Sequence, residues 1–247
     1  MDKGKVAFIS GANRGIGFET ARELAEKGVI VIIGSRDKAK GDEAAEKIAS
    51  KGLKARAFQC DVTNLADHKK LYDYIEKNFG KLDILINNAG VWLDSSPGDG
   101  TNRTSTTSQD ILRKTFDANF FSLVALTQTL LPLIKKSPEG RIVNLSSILG
   151  SLTLQADEKS PSYGFKAFAY DASKAAVNAF TIHLAAELKN TNIKVNSAHP
   201  GWVKTDMGSS AAPMEPADGA KTSAELALIG TDGPTGGFYH LGKKIPW

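Results

Sequence analysis

Short, β-rich apolar runs alternate along this chain with amphipathic stretches at helical spacing. The runs are VAFIS from Val6, VIVIIGS from Val29, LKARAFQC from Leu53, LDILINN from Leu82, RIVNLSS from Arg141, IKVNSAH from Ile193 and GGFYHL from Gly236. Between them lie helical segments. One opens at Gly15 and closes on Gly28. A second starts on Asp37 as N-cap and stops at Gly52, and a third runs from Asn64 to Gly80. The stretches Phe120 to Lys136 and Phe168 to Lys189 are longer and more apolar, so each is expected to be covered on more than one side. Several strands are nearly continuous apolar runs, the pattern of a parallel sheet buried on both faces. Strand–helix alternation at this spacing predicts βαβ units and one doubly wound α/β domain over residues 1–247. Two stretches are irregular. The Ser/Thr/Gly-rich stretch from Asp94 to Gln109 reads as a mobile surface loop, and Gly201 to Ala220 as a long loop of the kind used as a lid.

Composition adds exclusions. The chain has 247 residues, 41% hydrophobic and 23% charged, which is ordinary for a soluble globular protein. Its net charge of +4 is spread along the sequence, with no basic block of the nucleic-acid-binding kind, and it suits an anionic small ligand. Cys60 is the only cysteine, so neither an internal disulfide nor a thiolate metal cluster can form. His68, His183, His199 and His240 lack metal-ligand spacing and read as structural or surface residues, so no metal is expected. The first apolar run is too short for a signal-peptide core and no segment approaches a membrane span, so a cytoplasmic protein without membrane or nucleic-acid partners is expected.

The first strand runs into Ser10-Gly11-Ala12-Asn13-Arg14-Gly15-Ile16-Gly17 and then a helix. Glycines let the backbone approach a ligand closely, and the helix N-terminus beyond offers N–H groups to a diphosphate. Strand, glycine turn and helix in this order predict nucleotide binding. Further along, Tyr170 and Lys174 stand one helical turn apart and share a face. That spacing allows two readings: a tyrosine packed on a lysine stem, or an acid–base pair in which the cation lowers the phenol pKa. A shift of roughly three units needs about 4 kcal/mol, more than one lysine is expected to supply, so further positive charge would be required nearby.

The glycine spacing G-x-x-x-G-x-G, Asn87-Asn88-Ala89-Gly90 after the fourth strand, and Tyr170-x-x-x-Lys174 occur here in order. Together they resemble the short-chain dehydrogenase/reductase family across essentially the whole chain, with Ser10 standing where threonine is usual. The resemblance implies a Rossmann-type sheet and four catalytic positions. Tyr170 would exchange a proton with the substrate oxygen, and Lys174 would depress its pKa and bind nicotinamide ribose. Ser147 would orient the oxygen, and Asn119 would hold a helix kink and a water near Lys174. The choice of Ser147 over Ser146 follows the family motif, since adjacent strand residues face opposite ways.

The resemblance also implies cofactor contacts at Gly11, Asn13, Arg14, Gly15, Ile16 and Gly17. Asp61 and Val62 would meet adenine, although Asp61 also reads as a turn former. Asn87, Ala89 and Gly90 would line the ribose. Thr205 would meet the nicotinamide carboxamide, and Pro200, Gly201 and Val203 are further expected cofactor contacts. NAD-using relatives place an acid at the end of the second strand, where this chain has Ser35 and then Arg36. Arg36 and Arg14 can both face a 2′-phosphate, so NADPH/NADP+ is expected over NADH, with Asp37 reserved for the helix cap.

The interval from Ser147 to Tyr170, the segment PGWVKTDM and the final Trp247 are similar to the carbonyl reductase subgroup. Substrate loops are expected at about 92–109, 150–169 and 201–221. Trp92, Leu149, Phe165, Trp202 and Met207 would line an apolar pocket for ketones or aldehydes. The implied activity is NADPH-dependent carbonyl reduction. An alcohol dehydrogenase working oxidatively, or a non-catalytic NADP(H)-binding regulatory protein on the same fold, remain as alternatives. Both monomer and homodimer remain open.

Overall fold

The computed structural model of the chain describes residues 4–94 and 103–247. The first half runs β1 (Val6–Ile9), α1 (Gly15–Glu26), β2 (Ile30–Ser35), α2 (Lys38–Ala49), β3 (Ala55–Gln59), α3 (Leu65–Phe79) and β4 (Ile84–Asn87). The second half runs α4 (Gln109–Phe116), α5 (Ser122–Ile134), β5 (Arg141–Leu145), α6 (Leu152–Ala156), α7 (Phe168–Glu187), β6 (Lys194–Ala198), α8 (Pro216–Leu228), β7 (Phe238–His240) and β8 (Lys243–Lys244).

The strands form one sheet in the order β3-β2-β1-β4-β5-β6-β7-β8. All neighbours pair in parallel except β7 with β8. Successive strand residues alternate between two cores, as the pleat requires. Val6, Phe8, Ile30 and Ile32 meet Leu71 and Ile75 of α3, Leu126 and Leu130 of α5, and Leu184 of α7. Ala7, Ile9, Val31 and Ile33 meet Leu24 of α1, Ile48 of α2 and Ala224 of α8. The fold is therefore the doubly wound sheet, with helices on both faces. The strand order reverses between β1 and β4, so a crevice opens at their carboxyl ends.

Three elements differ from the sequence expectation. Helical structure begins at Gln109, not Phe120, with the Ser108 side chain accepting the Ile111 N–H at 3.2 Å. A π-turn at Asp117–Phe121 joins α4 to α5. The extra residue rotates the buried face, so the apolar period of α5 does not extend back through α4. Helix α8 occupies the end of the stretch read as a loop. It starts on Pro216 and packs with small residues such as Ala220 and Ala224, which carry little hydrophobic signal. Finally, Gln109–Ile134 is long and apolar enough by composition to cross a membrane, contrary to expectation. Its apolar side chains Leu123, Leu126, Leu130 and Leu133 are instead buried in the domain. Of the loop from Asp94, residues 95–102 lie outside the described set.

A buried polar ladder sets the register of α7 on the sheet. Asn87, Asn144 and Ser197 are cross-strand partners on β4, β5 and β6. Asn87 Nδ2 donates to Asn144 Oδ1 at 2.8 Å and to Thr127 Oγ1 at 2.9 Å. Asn144 Nδ2 and Ser197 Oγ both donate to Thr181 Oγ1 on α7, each at 2.9 Å. Asn87 Oδ1 remains without a partner among the described residues, so the ladder is not fully satisfied.

The N-terminus of α7 is held by two carboxylates. Asp94 accepts the N–H groups of Ala169 at 3.0 Å and Tyr170 at 2.9 Å. Asp171 accepts that of Ala167 at 3.1 Å. Burial, then the neighbouring Asp94 charge, push the Asp171 carboxyl up to about 7, against the pull of the Ala167 N–H.

Two consequences are measurable. Asn144→Ala removes one of the two acceptors of Asn87 Nδ2 and one of the two donors to Thr181 Oγ1, and should lower stability by roughly 1–3 kcal/mol in urea unfolding; a loss under about 0.5 kcal/mol would remove the ladder's role. Asp171 has a raised folded pKa, so its stabilising contribution is full below the unfolded pKa of about 4 and is lost as pH rises through about 7. Asp171→Asn should therefore gain stability over wild type at pH 8 relative to pH 5, read as the difference in Tm between the two conditions. An advantage that shrinks with pH would contradict this.

Candidate active site

The glycine turn follows β1 and opens α1. Arg14 stands at the N-cap with extended backbone, no side-chain cap and no acidic residue in the first turn. Helices α2, α3 and α4 are closed by the side chains of Asp37, Asn64 and Ser108. The α1 end thus keeps its N–H groups free, which fits a dinucleotide phosphate. Gly17 permits close packing here, since a Cβ would stand 2.5 Å from Asn88 Nδ2. Gly15 has a φ of +58°, and a Cβ on it would meet only Thr205 Cγ2 across the crevice.

Ser10 and Asn88, which sequence reasoning did not single out as site residues, brace this turn. Ser10 Oγ accepts the N–H groups of Asn88 and Ala89, both at 3.0 Å. Asn88 Nδ2 donates to the carbonyls of Ser10 at 2.8 Å and Gly11 at 3.1 Å. Asn13 lies within the turn, and Ile16 reaches the main cavity.

At the end of β2, Ser35 Oγ donates to the Asp37 carbonyl at 2.8 Å. Asp37 accepts the Lys40 N–H at 3.1 Å, so its carboxylate caps α2. Arg36 is exposed and makes no ion pair among the described residues. This set of one unengaged guanidinium and no free acid fits a 2′-phosphate better than a ribose diol. Arg14 is paired with Asp206 at the mouth of the crevice. Asp61 is committed to a turn, accepting from Thr63 N at 2.9 Å and Thr63 Oγ1 at 2.8 Å through one oxygen. Val62 packs on the core. The Asn87 side chain points into the buried ladder, so only its backbone can face a cofactor.

The four candidate catalytic side chains converge. Asn119 lies in the π-turn. Its Oδ1 accepts the Val91 N–H at 2.7 Å, and its Nδ2 donates to the Val91 carbonyl at 2.9 Å and Ser173 Oγ at 3.0 Å. Lys174 is buried. Its Nζ donates to the Leu145 carbonyl at 2.8 Å and lies 5.6 Å from the Tyr170 ring centre. Above it passes Gly90, where a Cβ would come within 3.2 Å of Asn119 Oδ1. Ser147 and Tyr170 stand on the wall of one cavity. Ser146 turns away and donates to the Lys174 carbonyl at 3.4 Å.

Burial dominates the titration of this group. It pushes the Tyr170 phenol above its usual value, with the Ser147 hydrogen bond pulling the other way. It pushes the Lys174 ammonium down to about 8. Burial is the largest influence on the phenol in the folded chain, and it acts in the direction opposite to the lowering expected of Lys174.

The cavity has a volume of about 730 Å³. Trp92, Leu149, Phe165, Trp202 and Met207 all line it, as do Pro200, Gly201, Val203 and Thr205. Trp92 stacks on Tyr170 with ring centres 4.6 Å apart. Trp202 Nε1 donates to the Gly208 carbonyl at 2.6 Å, which folds residues 202–208 into one rim.

Two lining residues escaped sequence reasoning. Asp94, read as part of a surface loop, is buried on α7; its partner is 76 positions away, and no local pattern reports that contact. His199 was read as structural or surface. Its Nδ1 accepts the N–H of Ile148 at 3.2 Å and of Gly201 at 3.4 Å. Burial and the nearby His240 push it down to about 3, so it lines the cavity as a neutral ring.

Known proteins match the chain over its whole length. Residues 5–216 match the family model described as short chain dehydrogenase. Carbonyl reductase (NADPH) 1 of Mus musculus is 32% identical, with 98% of each chain covered. (+)-Neomenthol dehydrogenase of Capsicum annuum is 30% identical, covering 96% of this chain and 95% of the relative. The crystal structure of NADPH-bound carbonyl reductase from chicken fatty liver superposes with a TM-score of 0.84 at 26% identity, covering 99% of both chains. With the glycine turn, the Ser147–Tyr170–Lys174 cluster and a full-length family match in agreement, the chain belongs to the short-chain dehydrogenase family.

Proposed function

We propose that this protein reduces ketone or aldehyde carbonyls by hydride transfer from NADPH, with Tyr170 as the proton donor. The observation that carries this proposal is that Ser147 and Tyr170 line the same 730 Å³ cavity, with Lys174 Nζ buried 5.6 Å from the Tyr170 ring centre. The carbonyl reductase relatives support the same chemistry.

NADPH, when bound, supplies the hydride for the carbonyl carbon. The α1 N-terminus would hold its diphosphate, Arg36 its 2′-phosphate, and the Pro200–Thr205 rim its nicotinamide end. Ser147 would donate a hydrogen bond to the carbonyl oxygen and fix it beside Tyr170. As the carbon becomes an alcohol carbon, the Tyr170 proton passes to the oxygen and the phenol is left ionised. Lys174 would offset that negative charge; each charged form favours the other at this separation. Solvent returns the proton to Tyr170. Trp92 on the ring face and Asp94 on the backbone N–H keep the phenol in one pose through the cycle.

The roles of the two serines separate cleanly. Tyr170→Phe should lower kcat by about 10²–10⁴, and Ser147→Ala by about 10² or more, whereas Ser146→Ala should cost under about tenfold, measured as NADPH oxidation on a panel of ketones and aldehydes. A larger loss at Ser146 would overturn the assignment. Cofactor choice rests on the end of β2. The double change Ser35→Asp with Arg36→Ala should cut the preference for NADPH over NADH by about tenfold to a hundredfold in kcat/KM, and an unchanged preference would refute the role of Arg36.

A further inference from the structure

The catalytic cavity has an uneven charge. Its charged lining residues are Asp94 and Asp206, and no Lys or Arg lines it among the described residues. Residues 95–102 contain no Lys, Arg or His, so that stretch can bring no positive charge. Lys174 is turned away to the Leu145 carbonyl, and His199 is neutral. A protein with net charge +4 thus presents a negative face at the place where a substrate would sit.

The two acids differ. Asp206 is exposed and paired with Arg14, so its charge is largely cancelled. Asp94 has no ion-pair partner among the described residues. Its two oxygens accept the N–H groups of Ala169 and Tyr170 at the α7 N-terminus. A carboxylate oxygen has two acceptor sites, so each oxygen keeps one for a further donor. Aromatic side chains line the same cavity: Trp92, two residues earlier, stacks on Tyr170, and Phe165 and Trp202 form further parts of the wall. A cavity that holds both a carboxylate and aromatic rings can attract an organic cation by direct charge and by the rings. The same lining repels a carboxylate.

We propose that the cavity selects carbonyl compounds bearing a protonated amine, with Asp94 as the charge partner, and discriminates against keto acids. This rests on the carbonyl-reductase function proposed above and specifies its substrate class.

Three aryl ketones of one skeleton test it: one with a dimethylaminomethyl group, one with an isopropyl group and one with a carboxymethyl group. With NADPH at pH 7, wild type should show kcat/KM at least about tenfold higher for the ammonium ketone than for the neutral one. The carboxylate ketone should be at least tenfold below the neutral one. Asp94→Asn should bring the ammonium-to-neutral ratio close to one. Any general loss from altered capping of α7 falls on all three ketones and cancels in the ratio. Asp94→Ser, which keeps an acceptor for the helix N–H groups, repeats the measurement should Asp94→Asn fold poorly. A wild-type ratio at or below one, or a ratio unchanged in either variant, overturns the proposal. If wild type reduces none of the three, the carbonyl-reductase function fails. The charge selectivity is then read from tryptophan-fluorescence binding of the same compounds, where equal affinity for ammonium and carboxylate ketones overturns it independently.

Discussion

One side-chain amide holds the reaction end of this domain together. Asn119 bonds both backbone groups of Val91 and the hydroxyl of Ser173, which in turn donates to the Tyr170 carbonyl at 2.7 Å. The amide reaches all three only because the π-turn displaces it from the regular helical path. The exit of β4, the start of α5 and the catalytic turn of α7 thereby become one unit. Trp92, Tyr170 and Lys174 inherit their relative positions from it, and Gly90 is the small residue that lets the chain pass above the lysine. A buried, nearly saturated amide is costly to replace, because each lost partner leaves a dry polar group.

Around that unit the chain uses desolvation as its main electrostatic instrument. Burial holds the Tyr170 phenol and the Lys174 amine toward their neutral forms, and it keeps His199 neutral throughout the ordinary pH range. Asp94 is also buried, and its two oxygens accept from backbone donors at the α7 N-terminus. With Asp206 it makes up the charged lining of the cavity among the described residues.

Much of this was legible along the chain because the signals were local. The glycine turn, Asp37 as cap of α2 and Asn64 as cap of α3 each depend on residues within one turn of each other. Tyr170 and Lys174 share a helix face by spacing alone. Ser147 was distinguished from Ser146 by motif, and the two indeed face opposite ways. The failures share a cause of the opposite kind. The π-turn interrupts the helical period, which hid α4; the small residues of α8 pack by close approach and leave no hydrophobic trace. Asp94 sits in a Ser/Gly-rich stretch that resembles any surface loop, and its partners lie on a helix far along the chain.

Periodicity was sufficient for the parallel sheet with helices on both faces and for placing Tyr170 and Lys174 on one helix face, since each arises from backbone geometry repeated over a few residues, while the roles of those residues came only from the resemblance. Titration, cavity charge and the grip on Tyr170 required the folded chain. They depend on how deeply a group is buried and on which distant backbone N–H or carboxylate comes to face it. Neither quantity exists before β4, β5 and α7 are packed together. The Tyr170 phenol shows the difference most plainly: spacing allowed a cation that would lower its pKa, and packing buries the phenol, which pushes it up.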